Sequence, residues 1–227
     1  MRRHSVSTHS ELLLPLIAEC LGELGMQAGE LSAVACGAGP GSFTGLRIGL
    51  STAKGLCFAL GLPLLLVSSL EALAHRALSE VAQSPPRPVL AVLDAFRGQV
   101  FARLSVPAEA RTATLSERLA SHPQLAGDAV WAPAALAEAV AALGLGENLL
   151  VCGGGLDRYP RELLAGLPEA VRWDDDPAPH PLDVAQLGAR ELRAGRQAPL
   201  QSSVPNYICV SAPEEALLRM AAGSGAG

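Results

Sequence analysis

Residues 37–49 read GAGPGSFTGLRIG, and this stretch decides the fold expected for the first part of the chain. A short apolar run, LSAVAC at residues 31–36, comes directly before it. The Gly-Pro-Gly sequence can reverse the chain, and Ser42 or Thr44 can cap a following helix. Apolar residues then recur at helical spacing over residues 45–60. The pattern therefore predicts a strand, a tight turn and a helix.

A glycine-rich turn before a helix also suggests an anion site, because free backbone N–H groups point out of a helix N-terminus. The known phosphate-binding motifs do not match, since Gly45 is followed by Leu46 rather than lysine, and Ser42 or Thr44 interrupts a G-x-G-x-x-G pattern. The nucleophile elbow of hydrolases fails as well, because Pro40 and Thr44 stand where glycines are needed. The residues favour a structural turn over an anion site.

Periodicity and turn residues divide the rest of the chain into alternating strands and helices. Three prolines within residues 83–88 indicate a connector, which predicts a first lobe at 1–88 and a second lobe with C-terminal helices and a frayed tail at 89–227. The predicted helices are 10–24, 69–78, 134–143 and 182–194, and the predicted strands are 64–67, 89–93, 99–104 and 148–152, with 89–104 forming a hairpin.

The composition excludes several classes of protein. Of 227 residues, 49% are hydrophobic and 17% charged, which is typical of a globular protein rather than a disordered one. The net charge of -5 argues against a surface built mainly to bind phosphate backbones. The longest uncharged run, residues 55–70, is too short and too interrupted for a membrane span. Five dispersed cysteines without a C-x-x-C pair favour a reducing cytoplasm.

Several motifs occur in the order found in one bacterial family. They are His9-Ser10 before a leucine-rich helix, GPGSFTGLRIG, Ala53-Lys54-Gly55 and Val67-Ser68-Ser69-Leu70, with weaker matches at residues 94–97 (DAFR) and 205–207 (PNY). From about His9 to Tyr207 the chain resembles the TsaB family, also called YeaZ. Cys209 stands where the family pattern has arginine.

The resemblance implies an α/β fold of the actin-like ATPase (ASKHA) type, with two RNase H-like lobes and mixed sheets. It implies a non-catalytic subunit that supports the ATPase TsaD in threonylcarbamoylation of adenosine 37 of tRNA. TsaE and tRNA are implied as further partners, and ATP and metal are expected on TsaD, with no cofactor on this chain. Family members begin with strands that carry an I-D-T turn, whereas this sequence begins at the His-Ser helix. Either the start codon is misassigned or the first lobe is truncated.

Two sets of residues are candidates for function. The family motif comprises Gly39, Pro40, Gly41, Ser42, Phe43, Thr44, Gly45, Arg47 and Gly49. The apolar residues of the 10–24 helix more than fill one stripe, which suggests burial on two sides. Together with the 45–60 helix it predicts a partner interface at Leu13, Leu16, Ile17, Cys20, Arg47, Ser51, Lys54 and Phe58. Gly45 and Gly49, one turn apart, allow close packing, either of helix on sheet within the chain or against a partner.

Other interpretations stay open at this point. Asp94 can orient Mg²⁺ or water in an active ATPase, or it can form an Asx-turn, which is favoured. Residues 153–155 (GGG) suit either an approach to adenosine or a strand-end turn. Residues 174–176 (DDD) are interpreted as a solvated loop. The alternative functions are an autonomous ASKHA-type small-molecule kinase, an M22-like peptidase and a homodimeric interaction protein.

Overall fold

The computed structural model describes residues 9–80, 85–168, 170–173 and 178–208. Its first sheet consists of two parallel strands, β1 (Val34–Gly39) and β2 (Leu64–Ser68), which are joined by helix α2 (Phe43–Leu60). The helix ends at Gly61, whose positive φ of 68° suits a residue without a side chain. This strand–helix–strand unit is the one predicted from the sequence around residue 40.

Two further helices flank this unit. Helix α1 (His9–Glu23) contacts α2, and helix α3 (Ser69–Glu80) follows β2 directly. Leu70, Leu73 and Ala77 on α3 are completely buried, and they pack against strands of the second sheet rather than the first. Ala72 of α3 packs against Val67 of β2, so α3 contacts both sheets.

The second sheet has five strands and mixed direction. In spatial order they are β5 (Ala129–Trp131), β4 (Val100–Ser105), β3 (Val89–Asp94), β6 (Leu150–Cys152) and β7 (Val171–Arg172). The β3–β4 and β4–β5 pairs are antiparallel, whereas the β3–β6 and β6–β7 pairs are parallel. The predicted hairpin is confirmed, with Val89 opposite Ser105 and Asp94 opposite Val100.

One face of the second sheet carries a continuous apolar core. The helices that contribute to it are α4 (Ala113–Ala120), α5 (Pro133–Ala141), α6 (Gly155–Arg158) and α7 (Pro160–Gly166). Leu90, Leu125, Leu136, Leu156 and Leu163 are fully buried there, among neighbours from every one of these elements or the turns between them.

The last described helix, α8 (Pro181–Arg193), returns to the first sheet. It packs against β1, β2 and α3, and the approach is close, because a Cβ placed on Gly188 would lie 2.6 Å from the Cβ of Ala35. Beyond it, the backbone N–H of Ala198 donates to the carbonyl of Leu64 at 2.8 Å. The division into a first lobe at 1–88 and a second lobe at 89–227 stays a prediction. Residues 181–198, which that division assigns to the second lobe, lie against the first sheet.

Two strands begin later than their apolar runs suggest. The run at residues 31–36 predicts a strand from Leu31, whereas β1 starts at Val34 because its partner strand starts at Leu64, after Pro63. The run at 148–152 is shortened in the same way by a 3-10 turn, Gly146–Asn148. The acidic run at 174–176, Cys209 and the predicted tail lie outside the described residues.

Candidate functional site

The family motif forms the turn between β1 and α2. The Gly39–Pro40 peptide bond is cis, and Gly39 has a φ of 104°, which side chains rarely tolerate. A Cβ on Gly39 would also lie 2.9 Å from Leu46 Cδ1. Ser42, rather than Thr44, caps the helix, since its Oγ accepts from the N–H of Gly45 at 3.4 Å. These contacts agree with the structural turn that the sequence favours.

The start of α2 also carries an exposed aromatic cluster, formed by Phe43, Arg47 and Tyr207. The rings of Phe43 and Tyr207 are 5.3 Å apart, and the Arg47 guanidinium lies 4.0 Å from the centre of the Phe43 ring. Arg47 Nε donates to the hydroxyl of Tyr207 at 3.1 Å. The structure therefore joins the glycine-rich motif to the Pro-Asn-Tyr motif, although 160 residues separate Arg47 from Tyr207.

Further along α2, the predicted interface residues differ in their surroundings. Phe58 is 83% exposed, and Ser51 is exposed on the same side. Lys54 is half-buried, because its ammonium donates to the carbonyls of Gln201 at 3.2 Å and Ser203 at 3.1 Å. Lys54 thus holds the C-terminal segment, a role that its sequence neighbourhood does not indicate.

On α1, the predicted interface residues split between two sides of the helix. Leu16 is 51% exposed and Cys20 is exposed, so both face solvent. Leu13 and Ile17 are half-buried and line a groove of about 350 Å³ that α1 shares with β1, α2 and the start of α8. The expectation that α1 and α2 lie in contact is confirmed, and that they form a partner face stays a prediction.

The two glycines of α2 have separate surroundings. Gly49 faces β1, where a Cβ would meet Cys36 Sγ at 3.8 Å, and Gly45 is exposed beside its cap Ser42. The contact of Gly49 is helix-on-sheet packing within the chain, which is one of the two interpretations that the spacing allows.

Asp94 forms the turn that the sequence favours. Its Oδ1 accepts from the N–H of Phe96 at 2.8 Å and from the hydroxyl of Tyr159 at 3.4 Å. Phe96 and Arg97 follow with φ of 62° and 52°, the left-handed region. The carboxylate therefore stabilises an Asx-turn at the tip of the hairpin.

The glycines after β6 are required by packing. Gly153 has a φ of 101°, and a Cβ there would lie 2.3 Å from the carbonyl oxygen of Val92. A Cβ on Gly155 would lie 2.5 Å from Val92 Cγ1. The strand-end turn is therefore close against β3, which explains these two glycines without a bound nucleotide.

Three further reactive side chains, His75, Cys36 and Cys57, are paired or at least partly buried. Nδ1 of His75 lies 3.0 Å from Oδ1 of the buried Asp183. Burial, reinforced by nearby Cys57, raises the pKa of the Cys36 thiol to about 11. Burial also raises the pKa of Cys57.

Two kinds of feature are absent from the described ranges. No three His, Cys, Asp or Glu side chains gather there as a set that could hold a metal ion. None of the helices in that part of the chain has the length and apolarity needed to cross a bilayer.

Comparison with known proteins places this geometry in a family. The family model described as "TsaD: tRNA N6-adenosine threonylcarbamoyltransferase" matches residues 3–141, more than half of the chain. The TsaB protein of Haemophilus influenzae is 40% identical over 94 residues, which are 41% of this chain and 39% of that protein. The TsaB protein of Escherichia coli is 38% identical over 93 residues. Two structures from Pseudomonas aeruginosa, "YeaZ" and an uncharacterised protein described as similar to peptidase YEAZ, superpose with TM-scores of 0.66.

The chain belongs to the TsaB (YeaZ) family.

The two TsaB-family structures are 30% and 28% identical to the chain, and the superpositions cover 87% and 89% of it and 84% and 85% of the other chains. The predicted fold class, an actin-like α/β fold with a mixed sheet, is confirmed. An uncharacterised Mycobacterium tuberculosis protein is 31% identical over 173 residues, 75% of this chain and 72% of that protein. The alignments with the H. influenzae and E. coli TsaB proteins span only 39% of the length of each.

Proposed function

We propose that this TsaB-family chain takes part in tRNA threonylcarbamoyladenosine biosynthesis as a non-catalytic subunit. We propose further that it binds a TsaD-like ATPase through the outward sides of α1 and α2. The relatives named as TsaB biosynthesis proteins support the process. The main support for the proposed interface is that large apolar side chains on these two helices are exposed. They include Leu12 (44%), Leu16 (51%) and Phe58 (83%).

Exposure of this kind favours a binding surface on physical grounds. Removing apolar area from water stabilises a complex by about 25 cal/mol per Å². Adjacent exposed apolar residues on a soluble protein mark interaction sites more often than isolated ones do. Arg47 and Phe43 at the start of α2 add the arginine and aromatic types that concentrate in binding hot spots.

A supporting role, rather than chemistry of its own, agrees with how the candidate catalytic groups are used. The hydroxyl of Ser42 caps a helix, the carboxylate of Asp94 holds a turn, and His75 is paired with Asp183. We therefore propose that ATP and metal are bound by the TsaD-like partner. A TsaE-like ATPase and tRNA are further proposed partners of the assembly, in the cytoplasm.

The sharpest test is Phe58→Asp in co-purification with a TsaD-like partner. The substitution places a charge on the proposed face, where desolvation in a complex would be costly. Because Phe58 is 83% exposed, we expect capture of the partner to be lost while circular dichroism and the melting temperature stay near those of the wild type. Ile17→Asp is expected to have the same effect on capture, but Ile17 also lines the groove beside β1.

The matched control is Phe96→Asp, the same exchange at another exposed phenylalanine, 63% accessible at the hairpin tip. Aspartate tolerates the left-handed backbone found there. We expect this variant to capture the partner normally. Full capture by both Phe58→Asp and Ile17→Asp would refute the assignment of this face.

A homodimer is the alternative occupant of the same face. Light scattering on the isolated chain measures it directly. We expect any dimer to dissociate in Phe58→Asp and to compete with the TsaD-like partner. A dimer that persists in Phe58→Asp and still binds the partner would show that the two surfaces are distinct.

A further inference from the structure

The carboxylate of Asp128 is a meeting point of separate chain segments. Asp128 lies just before β5, and its side chain is only 7% exposed. Oδ1 accepts from the hydroxyl of Ser68 at 2.9 Å and from the guanidinium of Arg103 at 3.1 Å. Oδ2 accepts from the side-chain amide of Asn206 at 3.2 Å. Three donors therefore converge on one largely buried anion.

These donors come from both sheets and from the C-terminal segment. Ser68 ends β2 of the first sheet, Arg103 lies on β4 of the second, and Asn206 belongs to the segment that follows α8. A buried carboxylate needs a compensating charge and hydrogen bonds to be tolerated. Arg103 supplies the charge, while Ser68 and Asn206 supply neutral donors, so the anion favours the arrangement in which all three segments are in place.

Asn206 also contacts the family motif. Its backbone N–H donates to the carbonyl of Ala38 at 2.7 Å, one residue before the Gly39 turn. Its own carbonyl oxygen lies 3.3 Å from where a Cβ on Gly39 would stand. The next residue, Tyr207, accepts from Arg47 and stacks on Phe43.

We propose that Asp128 is a positioning residue that couples the second sheet to the β1–α2 motif. By accepting from Asn206 it holds residues 198–208, the C-terminal strap, against β1 and so fixes the Phe43, Arg47 and Tyr207 cluster. Lys54 holds the middle of the strap by donating to the carbonyls of Gln201 and Ser203. The coupling is a property of the isolated chain and does not depend on the proposed TsaD-like partner.

Hydrogen–deuterium exchange read by mass spectrometry tests the coupling without any partner. Asp128→Asn removes the negative charge that the three donors share. If the new NH2 faces Ser68 and Arg103, their bonds are lost. If it faces Asn206, that side chain must turn its own amide round, and the bonds to a charged carboxylate are replaced by weaker bonds to a neutral amide. Loss or weakening of the hydrogen bonds to this charged group is expected to speed exchange about tenfold in the strap and in residues 38–47. The matched control is Asp157→Asn, because Asp157 is exposed and is paired with Arg172 at 2.6 Å.

Two substitutions at the exposed Asn206 keep the proposal testable if Asp128→Asn does not fold. Asn206→Ala should release the strap, and Asn206→Asp should release it further, because two carboxylates then face each other. The exchanged pair, Asp128→Asn with Asn206→Asp, restores one donor and one acceptor and should slow exchange again in residues 38–47. Exchange in Asp128→Asn equal to that in Asp157→Asn would overturn the proposal. So would a rise spread equally over β3 and β6 that the exchanged pair does not reverse.

Discussion

The two sheets of this molecule use their apolar residues in opposite ways. Around the second sheet, helices α4 to α7 bury leucines such as Leu136 and Leu163 completely. Around the first sheet, α1 and α2 leave Leu16 and Phe58 largely in solvent. Leucines occur on the helices around both sheets, so hydrophobicity alone does not distinguish a core from a surface that a partner can cover.

This difference indicates which region stabilises the folded chain and which region is available for binding. A buried leucine has neighbours on all sides, and its loss leaves a cavity. An exposed leucine on α1 contributes little to folding, which leaves its burial energy available for association. We therefore expect the second sheet to determine the stability of the chain and the first sheet to determine its interactions.

The largest expected effect comes from truncating one leucine in each region. Leu136→Ala should lower the free energy of unfolding by about 2–5 kcal/mol, because Leu136 is fully buried on α5. Leu16→Ala on α1 should change it by less than about 0.5 kcal/mol. Denaturant unfolding of both variants measures the difference. Equal losses would show that α1 is as much part of the core as α5.

A second, smaller contrast lies within the first region, between Cys20 and Cys36. At pH 8 a thiol reagent should modify exposed Cys20 readily. Cys36 should react roughly a hundredfold more slowly than a thiol with a pKa of 9.0, since the pKa of Cys36 is raised to about 11 and only the thiolate reacts. Peptide mass spectrometry resolves the two sites. Equal labelling rates would mean that β1 is open to solvent.

The same shift has a consequence for stability against pH. The folded chain holds the Cys36 proton more tightly than the unfolded chain does. The resulting contribution to the free energy of unfolding is fully present below pH 9.0 and is lost as the pH rises to about 11. Cys36→Ala should remove that part of the alkaline loss, while Cys20→Ala should leave it unchanged. Unfolding curves measured across this pH range compare the two variants.

The smallest expected effect is in ATP turnover. We expect the purified chain to release no phosphate above background, and Asp94→Asn to make no difference, because the Asp94 carboxylate holds a turn. A sensitive phosphate-release assay on both proteins tests this. Activity that survives stringent purification and disappears in Asp94→Asn would revive the kinase alternative.

Local features of the fold could be predicted from the sequence because their causes are local. The cap at Ser42 and the Asx-turn at Asp94 each depend on hydrogen bonds that span two or three residues. The contact between Arg47 and Tyr207 and the convergence on Asp128 could not be predicted in the same way, because they join residues 25 to 160 positions apart. Periodicity carries no information on such pairs.

The sequence does not predict the short edge strands, for a related reason. β5 and β7 contain only three and two residues, too few to show an alternating pattern. The return of α8 to the first sheet was also not predicted, since an amphipathic helix shows that it has an apolar side but not which sheet that side will cover.

The position of α8 has a consequence for synthesis on the ribosome. β1 and β2 are complete by Ser68, but the helix that covers them ends only at Arg193, about 120 residues later. At translation rates of about 5–20 residues per second, roughly 6–25 s pass between the synthesis of β2 and the completion of α8. During that interval the second sheet, whose strands all precede Trp173, can emerge and assemble on α3. The half of the protein that is translated first is thus the half that finishes folding last.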